Sequence, residues 1–190
     1  MCINLFLFFK GGNSMSTVFE STNMASTSGA ARIFDCVATE VIENGMIGGL
    51  GDLADNETHI YKFVKGTPEK NNYVIVDQPA WDPDESRMTN QRRDKFVIPA
   101  GTPFRVRQLM INDEFGITKD GFTTGTRANA APGKFASVDA ATGKFKVEDS
   151  EPASGSYCKI MRKRMLGGTL VTTAHTYGTS AELFELRVIR

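Results

Sequence analysis

Short runs in which apolar and polar residues alternate recur along this chain, and they constrain its fold more than any other feature. Phe184, Leu186 and Val188 alternate with Glu185 and Arg187. Phe104 and Val106 alternate with Arg105 and Arg107, and Phe145 and Val147 with Lys144, Lys146 and Glu148. His59, Tyr61 and Phe63 share one face, with Lys62 on the other. A period of two sends successive side chains to opposite faces, so these runs read as half-buried β-strands. Tyr73 to Asp77 (YVIVD) reads as a short buried strand. Ile33, Val37 and Val41 fall at helical spacing. Their segment is nevertheless rich in β-branched residues and ends in the turn signal Glu43-Asn44-Gly45, so it too reads as a strand. Gly45, Gly48, Gly49 and Gly51 crowd the next segment, which suits tight turns or bulges in a sheet. The expected fold is mostly β: a small β-barrel or β-sandwich with long loops and a flexible N-terminal arm.

Three regions follow from this pattern. Residues 1–14 read as a mis-assigned translation start. Lys10-Gly11-Gly12-Asn13-Ser14 back-translates to a purine-rich ribosome-binding sequence just ahead of Met15. The apolar run Met1 to Phe9 lacks a basic region before it, and it falls far short of the ~20 residues that span a bilayer. Residues 15–32 are rich in Ser, Thr, Ala and Gly with no apolar period, and read as a flexible N-terminal arm. Residues 33–190 read as a single β-rich domain, with long loops at 78–95 and 121–143.

The residues that carry chemistry are sparse. His59 and His175 sit in no metal-ligand spacing. His59 lies near Asp52, Asp55 and Glu57, which reads as an acidic turn entering a strand. Cys36 and Cys158 fall on expected strands and read as buried apolar fillers. No nucleophile elbow and no phosphate-binding loop is present. Carboxylate pairs such as Asp113-Glu114 and Asp82/Asp84 read as solvated loops. No catalytic, cofactor or metal site is expected.

Two basic clusters stand out. Arg87, Arg92, Arg93 and Lys95 are interleaved with Asp82, Asp84, Glu85 and Asp94 in the first long loop. Lys159, Arg162, Lys163 and Arg164 crowd one expected strand and read as a solvated sheet edge guarded by positive charge. The chain as a whole carries 22 Lys and Arg against 22 Asp and Glu. That balance disfavours nucleic acid as a partner and leaves docking onto a protein surface as the functional reading of these clusters.

Several segments resemble the head decoration (cement) proteins of tailed bacteriophages. They are Ala38-Thr39-Glu40, Ile42-Glu43-Asn44-Gly45-Met46-Ile47-Gly48, Leu50-Gly51-Asp52-Leu53 and His59-Ile60-Tyr61-Lys62-Phe63. Val74-Ile75-Val76-Asp77 with Pro79, Pro99-Ala100-Gly101-Thr102-Pro103-Phe104-Arg105-Val106, and Gly178 with Leu183 to Val188 continue the likeness. In that pattern an Asn-Gly turn joins two strands. The resemblance implies a non-enzymatic virion protein on the capsid surface, assembled in the bacterial host cytoplasm. It would bind the major capsid protein and stabilise junctions between capsomers, as a homo-oligomer with a trimer favoured and with no membrane partner. Phe19, Asn23 and Met24 of the arm, Trp81, Arg87, Arg92 and Arg93 of the loop, and Lys159, Arg162 and Arg164 are the capsid-contact candidates. Deleting 16–32 is then expected to weaken attachment and leave the body folded. The competing readings are a tail-tube or head–tail connector subunit and a carboxylate-based hydrolase.

Overall fold

The structure, a computed structural model, describes residues 16–66, 73–80, 93–165 and 182–190. Five strands close a barrel: β2 (Ile33–Val37), β3 (Ile47–Leu53), β4 (Ile60–Lys65), β5 (Tyr73–Val76) and β6 (Phe104–Gln108), in the order β2-β4-β3-β5-β6. β2 runs parallel to β4 and closes the barrel by pairing antiparallel with β6. Six strands form a second sheet: β1 (Phe19–Asn23), β7 (Glu114–Thr118), β8 (Phe135–Val138), β9 (Phe145–Glu148), β10 (Tyr157–Met165) and β11 (Glu182–Val188). Their order is β1-β7-β11-β10-β8-β9. The fold is mostly β, as the alternating runs require.

β5 explains how the two parts fit together. All four of its residues are buried, because each face meets a different core. Val74 and Val76 point into the barrel beside Cys36, Phe104 and Val106. Tyr73 and Ile75 point outward into the core of the sheet, beside Phe115, Ile117 and Phe184. Ile47 of β3 joins them there, and its N–H donates to the Gly143 carbonyl at 2.7 Å. A continuous apolar run is therefore the correct pattern for a barrel strand whose outside is also covered.

The glycine-rich segment forms β3, and its register shifts between Leu50 and Leu53, which is the bulge the glycines suggest. The Asn44-Gly45 turn differs from expectation. β3 pairs with β4 and β5, not with β2, so this turn is no hairpin between consecutive strands. Instead the Asn44 amide pairs with the backbone of Gln78: Nδ2 donates to the Gln78 carbonyl at 2.9 Å, and the Gln78 N–H donates to Oδ1 at 2.8 Å. A side chain that imitates a strand here staples the turn to the chain leaving β5.

Residues 16–32 are not a flexible arm. β1 pairs antiparallel with β7, Phe19 opposite Ile117. Val18, Phe19 and Met24 are buried, and the Phe19 ring packs 5.8 Å from that of Phe115. The segment is also tied by polar groups. Ala25 donates its N–H to Asp113 Oδ1 at 2.7 Å, and Val18 donates its N–H to Thr118 Oγ1 at 2.9 Å. Asp113, read from sequence as a solvated carboxylate, is buried and also accepts the Met110 N–H at 2.9 Å.

Both described cysteines are interior. Cys36 lies inside the barrel, where burial and then the charge of Asp35 push its thiol up to about 12. Burial alone pushes the Cys158 thiol up. Both pack among apolar side chains, Cys36 in the barrel core and Cys158 in the core of the sheet, as expected of apolar fillers.

Candidate functional site

The outer face of the sheet carries a chain of guanidiniums and carboxylates. It begins at β1, where Glu20 points away from the core. Arg93, on the loop that follows β5, donates from Nη1 to Glu20 Oε1 at 3.1 Å and from Nη2 to the Phe19 carbonyl at 2.9 Å. Arg164 of β10 donates from Nη2 to the other Glu20 oxygen at 2.6 Å and from Nε to Glu185 at 2.8 Å. Arg162 donates to the second oxygen of Glu185. Arg187 and Glu114 pair farther along, at 2.7 Å from Nε. Lys159 stands opposite Arg187 across β10 and β11, its ammonium 5.9 Å from the centre of the Phe135 ring. These residues supply five positive charges and three negative ones.

A bulge in β10 aims this network. The register of β10 against β11 shifts between Ile160 and Arg162, so Arg162 rather than Met161 stands opposite Glu185. Without the shift, Arg162 and Arg164 would fall on the core face. The sheet edge expected here is absent for Tyr157–Lys159, because β10 lies between β11 and β8. Arg162, Lys163 and Arg164 pair with β11 alone among the described strands and are exposed, so they lie along an edge as expected, and their charges also pair carboxylates across strands.

Glu185 is the centre of the arrangement. It is a buried carboxylate in the middle of β11, between Phe184 and Leu186. Burial raises its pKa, but the hydrogen bonds and charges of Arg162 and Arg164 outweigh burial and hold it below the ordinary carboxylate value. Glu182 is lowered as well, chiefly by its hydrogen bond from Lys163. Such groups are fixed anions, which suits complementarity with a partner surface rather than proton donation near neutral pH. Exposed pairs add little stability singly, so the value of the network lies in fixing where charge is presented.

The sign of the Glu185 shift gives a pH prediction. A depressed folded-state pKa stabilises the fold above the unfolded value, about 4.3, and that contribution is lost as pH falls through the folded value. The parent chain is therefore expected to lose more urea resistance than Glu185→Gln between about pH 5 and about pH 2.5. A constant gap between the two urea midpoints across that range would show that the Glu185 charge does not stabilise the fold.

The contact candidates separate into four groups. Arg93, Lys159, Arg162 and Arg164 come together on this face, though they are distant in sequence. Asn23 is exposed at the end of β1. Phe19 and Met24 are corrected: both lie in the core of the sheet, at 5% and 1% exposure, where no partner reaches them. Trp81, Arg87 and Arg92 lie outside the described residues, as do residues 1–14. Sequence reasoning missed Glu20, Glu114, Glu185 and Arg187. The polar phase of the last alternating run carried Glu185 and Arg187, but nothing local marked their partners.

His59 is exposed and hydrogen-bonds through Nδ1 with the Thr58 hydroxyl at 3.1 Å. Among the described residues, no group of three or more His, Cys, Asp and Glu side chains is placed to hold a metal ion. No described helix is long and apolar enough to cross a membrane. Compared with protein-family models, curated proteins and solved structures, the chain matches none of them.

Proposed function

We propose that this protein is a structural, non-catalytic component of a tailed-phage particle. It binds the major capsid protein from outside and bridges neighbouring capsomers. The observation that carries the reading is where the resembling segments fall. Within those segments, residues 47–53, 60–63, 74–76 and 104–106 lie on strands of one closed barrel, and the barrel together with the segment between β2 and β3 leaves apolar side chains in solvent. Val41 is 54% exposed and Val64 is 50% exposed. Apolar groups on a wall are stabilised by a partner that covers them, and a specific interface of about 1,200–2,000 Å² needs such groups at its centre. The sheet contributes the charged face with its fixed carboxylates, which supports register and partner choice more than affinity.

Quantitative peptide mass spectrometry of density-purified particles tests the reading. The expected result is a copy number comparable with that of the major capsid protein. A few copies per particle would assign the chain to a connector or tail. Absence from particles would end the virion reading.

A further inference from the structure

The Asn44-Gly45 turn carries a chemistry of its own. An Asn followed by Gly is the most labile of Asn pairs, because a glycine leaves its backbone nitrogen unhindered beside the neighbouring carboxamide. The fold holds both reacting groups. The nucleophile, the Gly45 N–H, donates to the Val76 carbonyl at 2.9 Å. The electrophile, the Asn44 carboxamide, is fixed through both of its polar atoms: Nδ2 donates to the Gln78 carbonyl at 2.9 Å, and Oδ1 accepts the Gln78 N–H at 2.8 Å. Gln78 is tied in turn, its Oε1 accepting the Arg105 N–H at 3.1 Å. The turn demands this labile pair. Gly45 sits at φ +76°, and a Cβ there would press on Thr17 Cγ2 at 3.1 Å. Asn44 supplies a donor and an acceptor on one short side chain. Solvent is close by: a cleft of about 100 Å³ opens beside Asn44, Gln78 and Arg93, which is roomy enough for water.

We propose that Asn44 is a deamidation site gated by its bonds to Gln78, so that prolonged opening of this junction becomes irreversible. In the open state, hydroxide from solvent takes the Gly45 amide proton, and the nitrogen attacks Asn44 Cγ. The new C–N bond closes a five-membered imide. The Cγ–Nδ2 bond breaks, and the nitrogen takes a proton from water and leaves as ammonia. Water then opens the imide at either carbonyl, giving aspartate or isoaspartate. No oxidant or reductant takes part. The product cannot restore the staple. A carboxylate accepts and does not donate, so the Gln78 carbonyl would face an oxygen. Isoaspartate also lengthens the main chain of the turn by one carbon. This inference does not rest on the virion reading.

Peptide mass spectrometry of the full chain held in mildly alkaline buffer, with and without unfolding urea, tests it. Conversion at Asn44 is expected to be at least about tenfold slower in the folded chain, because the hydrogen bonds on both groups must open first. Gln78→Ala removes the tether to Arg105 and leaves the reacting pair intact. It is expected to speed conversion in the folded chain by about two- to tenfold and to leave the rate in urea unchanged. A thermal melt reports whether this variant stays folded during the incubation. Asn44→Asp, which carries the product side chain, is expected to have a lower urea midpoint and faster hydrogen exchange at the Gln78 N–H. Absence of conversion in urea, equal rates in the folded and unfolded chain, a folded Gln78→Ala chain that converts no faster than the parent, or an Asn44→Asp chain as stable as the parent would each overturn the proposal.

Discussion

A chain lacking residues 16–32 is expected to lose most of its stability, and not merely a loose end. The deletion removes β1 and with it Val18, Phe19 and Met24 from the core of the sheet. Burying one such side chain stabilises by about 1.5–3 kcal/mol, and whole domains hold only about 5–15 kcal/mol. The deletion also leaves the buried Asp113 without the Ala25 N–H, and Glu20 is lost from between Arg93 and Arg164. A melt followed by circular dichroism is expected to show either no cooperative transition or a fall of at least about 10 °C. A truncated chain that melts with the full one would return this segment to the role of an arm.

Gly66→Ala is the single substitution expected to cost most at the junction of barrel and sheet. Gly66 sits at φ +95°, and its N–H donates to the Ile47 carbonyl at 3.0 Å. A Cβ there would lie 2.3 Å from the Ala140 carbonyl oxygen and 2.8 Å from its Cα. Both obstacles are backbone, so no rotamer change relieves them. The left-handed conformation alone costs about 1–2 kcal/mol, and forcing the two backbones apart adds about 1–3 kcal/mol. Gly133→Ala is the control. Its φ is +90°, but a Cβ there meets nothing within 4 Å, so only the conformational part applies. Urea denaturation of the two variants separates the terms. Equal losses would show that the Ala140 backbone yields freely.

Sequence and structure agree where the signal is local. The runs ending in Phe63, Val106, Val147 and Val188 alternate because one face of each strand is covered, and each is a strand in the structure. They part where packing depends on residues far away. β1 escaped notice because its register against β7 shifts between Ser21 and Asn23. The extra residue places Phe19 and Met24 in one core at a spacing that a regular strand would split between faces. Glu185 read as the solvated phase of its strand because its two arginines lie more than twenty positions back.

The pairing of β1 with β7 also sets an order of events during synthesis. Val18 donates its N–H to Thr118, a hundred positions later. At about 5–20 residues per second, the ribosome takes roughly 5–20 s to make the intervening chain. Throughout that time Val18, Phe19 and Met24 have no core to enter. The barrel strands between them can close first, because β2 to β6 complete one another without β7. β1 is thus among the first strands translated and among the last to find its place, and in the nascent chain its apolar side chains are open to chaperones.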